Sequence, residues 1–139
     1  MASSAKFAAL IDTLASEHED LLPEMARLAD EAMSPLAVLK AAIDRAAPKL
    51  YGPLDEHILN EDRVLFPAYV SAGGDAGVLA LFTEEHREIL SLRDRLTAAV
   101  EDGDEADEIR SLVAQLTDIL SEHMGREDEM LFPAMREAL

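Results

Sequence analysis

The sequence predicts an all-α protein, an up-down-up-down antiparallel four-helix bundle, on three observations. Ala, Leu, Glu and Arg are abundant and β-branched runs are scarce, which favours helix throughout. Four segments carry apolar residues spaced alternately by three and four, the signature of a helix with one buried face. Short connections join these segments, which are about 25 to 33 residues long, and short connections favour antiparallel neighbours.

The first segment runs through Phe7, Leu10, Leu14, His18, Leu21, Met25 and Leu28. Pro23 interrupts it and is expected to kink the helix one turn past His18. Ser34 followed by Pro35 reads as an N-cap and a proline at the first helical position. The second segment carries Leu36, Leu39, Ile43, Leu50, Leu54, His57, Glu61 and Leu65. Pro48, Gly52 and Pro53 fall inside it, so a bend or break is expected around residues 48–53. Gly73, Gly74 and Asp75 form a loop with a cap. The third segment carries Val78, Phe82, His86, Ile89, Leu96 and Val100, and Glu101 to Asp104 make a polar turn. The fourth carries Ile109, Leu112, Leu116, Ile119, His123, Glu127 and Leu131, with Pro133 at its distal end.

Length and composition narrow the classes of function. The 139 residues suit a single domain, taken as 1–139, large enough to bury a core. Cysteine is absent, which removes disulfides, thiolate metal sites and cysteine nucleophiles. A formal charge of −17 argues against nucleic acid, which needs a basic footprint. No apolar stretch approaches the roughly 18 residues of a membrane span. The first seven residues also lack the apolar run of a signal peptide, so a soluble cytoplasmic protein is expected.

An eleven-residue frame then occurs twice, from His57 to Pro67 and from His123 to Pro133. Each copy keeps His, Glu and Asp at the fourth and fifth positions after it, and Leu-Phe-Pro. Residues four apart share a helix face, so His57 with Glu61 and His123 with Glu127 each aim an imidazole and a carboxylate at one point. The segment around His18 is similar to that around His86, so the chain reads as a duplicated helical hairpin. All four histidines replace apolar residues on the core-facing stripes. Six polar groups at the centre of a bundle are expensive unless something satisfies them together, either a hydrogen-bond network or metal ions. Imidazole and carboxylate without sulfur suit iron, manganese or zinc. Two carboxylates among four histidines suit a bridged pair better than one crowded ion.

On His18, His57-x-x-x-Glu61, His86, His123-x-x-x-Glu127 and the Leu-Phe-Pro tails, nearly the whole chain resembles the hemerythrin-like (HHE cation-binding) domain family. That resemblance implies a cofactor of two Fe ions with an oxo or hydroxo bridge. His18 and His57 would bind one iron and His86 and His123 the other, with Glu61 and Glu127 spanning both. It also implies a small-molecule partner: O2, peroxide (H2O2) or NO. Oxygen-carrying hemerythrins have a fifth histidine on the third helix, whereas the positions either side of His86 here hold Phe82 and Leu90. Each iron is then left with an open position, which favours redox chemistry or sensing over oxygen carriage.

Those carriers also use an Asp five residues after the fourth-helix histidine. On a helix the fourth-position glutamate stays within about 40° of the histidine, whereas the fifth-position aspartate swings to about 140°. Glu61 and Glu127 are therefore the expected ligands, and Asp62 and Asp128 are expected on the solvated surface. Each histidine is preceded by a glutamate (Glu17, Glu56, Glu85, Glu122) that either lies on the surface or accepts a ring N–H across to a neighbouring helix. Tyr51 is a further candidate ligand or donor. Phe66, Phe82, Phe132, Met25 and Ile89 are the expected apolar wall. Two functional classes follow: an oxidoreductase that consumes peroxide or oxygen, and a binding protein for oxygen or NO sensing, oxygen carriage or iron storage.

Overall fold

A computed structural model describes the backbone of residues 2–139 and the side chains from residue 5 onward. The described residues form helices and turns without a strand. Helix α1 spans Ala2–Asp30 and runs through Pro23 without a break. The second rod consists of α2 (Leu36–Leu50), α3 (Pro53–Asn60), a π-helical turn (Glu61–Leu65) and α4 (Phe66–Ser71). The third is α5 (Ala76–Glu101). The fourth is α6 (Ala106–Arg126), a second π-helical turn (Glu127–Leu131) and α7 (Phe132–Ala138). No helix among the described residues is long and apolar enough to cross a membrane.

Cross-helix pairs fix the relative directions. Lys49 reaches the Asp20 carbonyl while His57 lies against Glu17, so α1 and the second rod are antiparallel. Arg93 meets the Leu50 carbonyl while His86 meets Asp62, so the second rod and α5 are antiparallel too. Asp12 pairs with Arg136 while His18 meets Asp128, which sets the fourth rod against α1 in the same sense.

The second rod breaks at residues 51–52, where Gly52 takes φ +86°, a conformation that favours glycine. Arg93 holds the break in place. Its guanidinium donates to the Leu50 carbonyl at 2.8 Å and to Asp55 Oδ1 at 2.9 Å, and lies 4.1 Å from the Tyr51 ring centroid. Asp55 in turn accepts from the Gly52 amide at 3.0 Å.

Asp75 caps α5 as expected, accepting from the amides of Gly77 and Val78. Ser34 does not cap α2. Pro35 holds that position, and the Ser34 hydroxyl donates to Glu31 instead. Pro133 does not end the fourth rod, because α7 continues through it to Ala138.

Both Leu-Phe-Pro tails explain a local widening of the helix. A proline lacks the N–H for the ordinary helical bond and its ring crowds the carbonyl four residues back. In both rods the turn just before the proline widens to the π form, in which Phe66 N–H bonds to Glu61 O and Phe132 N–H to Glu127 O. Each wide turn starts at the glutamate of the repeated frame.

Two apolar clusters fill the bundle. One, containing Met25, Leu39, Leu96 and Leu116, occupies the end next to the α1–α2 and α5–α6 connections. The other, containing Leu14, Phe66, Phe82 and Phe132, occupies the opposite end. The histidines form a layer between them.

Candidate metal centre

The four histidines and two glutamates of the repeated pattern meet in that layer. His18, His57, His86 and His123 are all buried, and Glu61 and Glu127 have no exposed surface. Helical spacing brings this about: His57 with Glu61, and His123 with Glu127, lie one turn apart on the inward face. His18 and His86 occupy the matching height on α1 and α5.

Each imidazole turns Nε2 inward. His18 Nε2 and His57 Nε2 are 3.1 Å apart. Glu61 Oε1 lies 3.3 Å from His57 Nε2 and 3.1 Å from His86 Nε2. Glu127 Oε1 lies 3.3 Å from both His18 Nε2 and His123 Nε2. Each glutamate therefore joins the His18–His57 side to the His86–His123 side. Two sets of ligand atoms converge closely enough to hold a metal ion: Glu61, His86, His123 and Glu127 in one, and His18, His57 and Glu127 in the other.

Each Nδ1 faces a carboxylate on the next rod. Glu17 accepts from His57 at 3.0 Å, Asp62 from His86 at 2.9 Å, Glu85 from His123 at 3.0 Å and Asp128 from His18 at 2.8 Å. An ionised carboxylate only accepts, so each imidazole carries a proton on Nδ1, which leaves Nε2 as the atom that would give up its proton to a metal. The four bonds run from each rod to the next and close into a ring. Thr83 adds a hydroxyl donor to Asp62 at 3.3 Å, and Arg126 pairs with Glu85.

This ring corrects the expectation for Asp62 and Asp128. Neither is among the converging ligand atoms, in keeping with their swing away from the histidine on their own helix, and neither is plain surface. They point at the histidine of the neighbouring rod. Of the four glutamates that precede histidines, Glu17 and Glu85 make such bonds, whereas Glu56 and Glu122 are exposed. Tyr51 is remote from the layer. It sits exposed at the α2–α3 break and bonds to Thr97 and Asp94.

Three phenylalanines close one side of the layer. Phe132 stacks on His18 and Phe66 on His86, both at 12° between planes, and Phe82 sets its edge against His123. Ile89 lies on the other side, with Met124 where Met25 was expected. Met25 packs deeper in the cluster near the connections. Its place on the stripe is right, but it lies two turns along α1 from His18.

The electrostatics indicate a site built for cations. Burial alone lowers His57, but the Glu17, Glu61 and Glu127 carboxylates outweigh it and raise it to about 10. His86 is raised to about 9, with burial again overcome, here by Asp62 and Glu61. Burial pushes Glu127 up and the adjacent Glu61 charge pushes it further. Burial acts on Glu61 as well, but Glu127, His57 and His86 hold it below the usual carboxylate range. Both oxygens of Glu61 and of Glu127, and Nε2 of His86 and of His123, have no hydrogen-bond partner. Buried polar atoms left unpaired are costly, and divalent cations would satisfy all six. The nitrogen and oxygen donors fit such ions.

Residues 9–136 match the family model described as Hemerythrin HHE cation binding domain. Neither the comparison with curated proteins nor that with solved structures gives a match.

Proposed function

Since the chain belongs to the hemerythrin HHE cation-binding domain family, we propose that its buried His/Glu layer holds a pair of irons that reacts with a small oxidant, O2, peroxide or NO, with removal of peroxide or oxygen as the favoured activity. The observation that carries this reading is the pair of fully buried glutamates, each beside one histidine from either side of the layer and each with both oxygens unpartnered.

Iron held there by His18, His57, Glu61, His86, His123 and Glu127 would supply one-electron redox chemistry, with an external reductant needed for repeated turnover. The protein's own groups supply the rest. Glu61 and Glu127 bring negative charge to the midline, where it offsets that of two cations. Glu17, Asp62, Glu85 and Asp128 hold the imidazoles in one tautomer and make them better donors. Phe66, Phe82 and Phe132 close one side of the layer against water. Phe82 and Leu90, at the places of a further third-helix histidine, offer no ligand atom and would leave room for the oxidant.

The test is metal analysis of the purified protein, with peroxide consumption followed at matched iron content. Stoichiometric iron and turnover above that of free iron support the enzyme. Stoichiometric iron without turnover makes the chain a binding protein for oxygen or NO, or an iron store. Purification without any bound metal overturns the proposal.

A further inference from the structure

The two halves of the histidine layer differ in what stands behind the carboxylates of the ring. Behind His123, Glu85 accepts from Nδ1 with one oxygen at 3.0 Å and from the Arg126 guanidinium with the other. Arg126 also lies 5.8 Å from the centroid of Phe82, whose edge rests on His123. Behind His86, Asp62 accepts from Nδ1 at 2.9 Å and from the Thr83 hydroxyl at 3.3 Å.

The other pair lacks both supports. Among the described residues, Glu17 and Asp128 have no hydrogen-bond partner besides His57 and His18. The internal repeat shows why. Asn60 stands three residues after His57, where Arg126 stands after His123, and Ala15 stands three before His18, where Thr83 stands before His86. The supported side chains are also the better covered: Glu85 and Asp62 are 21 % and 28 % exposed, against 39 % and 35 % for Glu17 and Asp128.

We propose that Arg126 and Thr83 are positioning residues that make the His86–His123 side the tighter of two metal sites, filled before the His18–His57 side. This ranking rests on the paired metals proposed above and adds an order of filling to them. An imidazole binds best when its outer partner already holds the ring in the bound orientation. A carboxylate can hold the ring only as firmly as it is itself held. Ordering a glutamate costs rotamer freedom; Arg126 has already restricted Glu85, whereas Glu17 would be restricted only as metal binds. Repulsion between Arg126 and a metal ion acts the other way. It is small, because the guanidinium is exposed, paired with Glu85 and screened by water. The ligand atoms point the same way independently: Glu61, His86, His123 and Glu127 converge as a set of four, whereas His18 and His57 converge with Glu127 alone.

The experiment is a titration of the metal-free protein with zinc(II), which is redox-silent, followed by NMR of the imidazole rings. The chain has four histidines, so each ring can be followed by itself. In the parent chain the His86 and His123 signals should change with the first equivalent and those of His18 and His57 with the second. Arg126→Asn combined with Thr83→Ala copies the residues of the first half, and in it the four rings should respond together. Its first step should weaken several-fold, by less than the roughly 10-fold at which the loss of the carboxylate itself begins. Asn60→Arg, which places a cation three residues after His57, should instead tighten the second step, and it decides the matter if the double variant does not fold. A joint or reversed response in the parent chain overturns the proposal. So does an unchanged order in the double variant, or an unmoved second step in Asn60→Arg. Zinc at His86 and His123 with no second step would count against the metal pair and leave the ranking of the two sides standing. No zinc at any histidine would overturn both.

Discussion

Asp128 accepts a hydrogen bond from Nδ1 of His18 at 2.8 Å, joining two residues 110 positions apart in the chain. The bond closes the ring of four carboxylate–imidazole pairs by linking the last rod to the first. Removing such a partner typically costs 10- to about 100-fold in metal affinity. Asp128→Ala should therefore weaken metal binding by that factor, and Asp128→Asn, which still accepts from Nδ1, by less. Competition against a chelator measures both, and equal affinity in all three proteins would show that the ring does not set the ligands.

Protonation gives a second expectation. In the metal-free protein, His57 and His86 keep their protons up to about 10 and about 9, above the ordinary 6.5. A raised folded-state value contributes stability that is complete below the unfolded value and lost as pH rises through the folded one. The urea midpoint of the metal-free protein should therefore fall between pH 6.5 and about 10. Metal-loaded protein should not show this fall, because its imidazoles are already neutral ligands. Identical pH profiles for the two forms would contradict the assignment.

The inward residues were legible because a helical stripe converts spacing directly into burial. His18, His57, Glu61, His86, His123 and Glu127 all lie where the period puts them. The break after Leu50 and the Asp75 cap were legible from glycine, proline and aspartate chemistry. The carboxylate ring was only half legible. Each bond joins residues on different rods, and no local period reports which neighbour an outward Asp62 or Asp128 will meet. The wide turns at Glu61 and Glu127 were missed although Pro67 and Pro133 recur at the same place in both copies. Met25 shows the remaining gap: the stripe gives the face of a helix but not which level of the bundle it packs against.

Phe132 has 2 % of its surface exposed and stacks on His18 with ring centroids 5.4 Å apart. Truncation of a buried phenylalanine costs about 3–5 kcal/mol. Phe132→Ala should lose that much stability by urea unfolding, with the histidine layer opened to water from the packed side. A loss near zero would mean that the phenylalanine side of the layer is not part of the core.

Phe82 precedes His86 by one turn and belongs to the phenylalanine side of the layer, whereas Leu120 packs with Ile89 and Met124 on the other side. If oxidants reach the layer from the side of Leu120, Phe82→Leu, which supplies no ligand, should leave azide binding to the iron-loaded protein largely intact. Leu120→Phe should slow it at equal iron content. The optical change on azide addition reports both, and the opposite ranking would place the entry route on the phenylalanine side.

Glu61 and Glu127 each touch histidines from both sides of the layer, so neither should be dispensable to one metal alone. Iron content per chain, measured for the parent protein and for Glu127→Ala after the same loading, tests this most directly. A pair of irons in the parent, lost together in the variant, is the expected result. A single iron in the parent, or clean retention of one of two in Glu127→Ala, would contradict it.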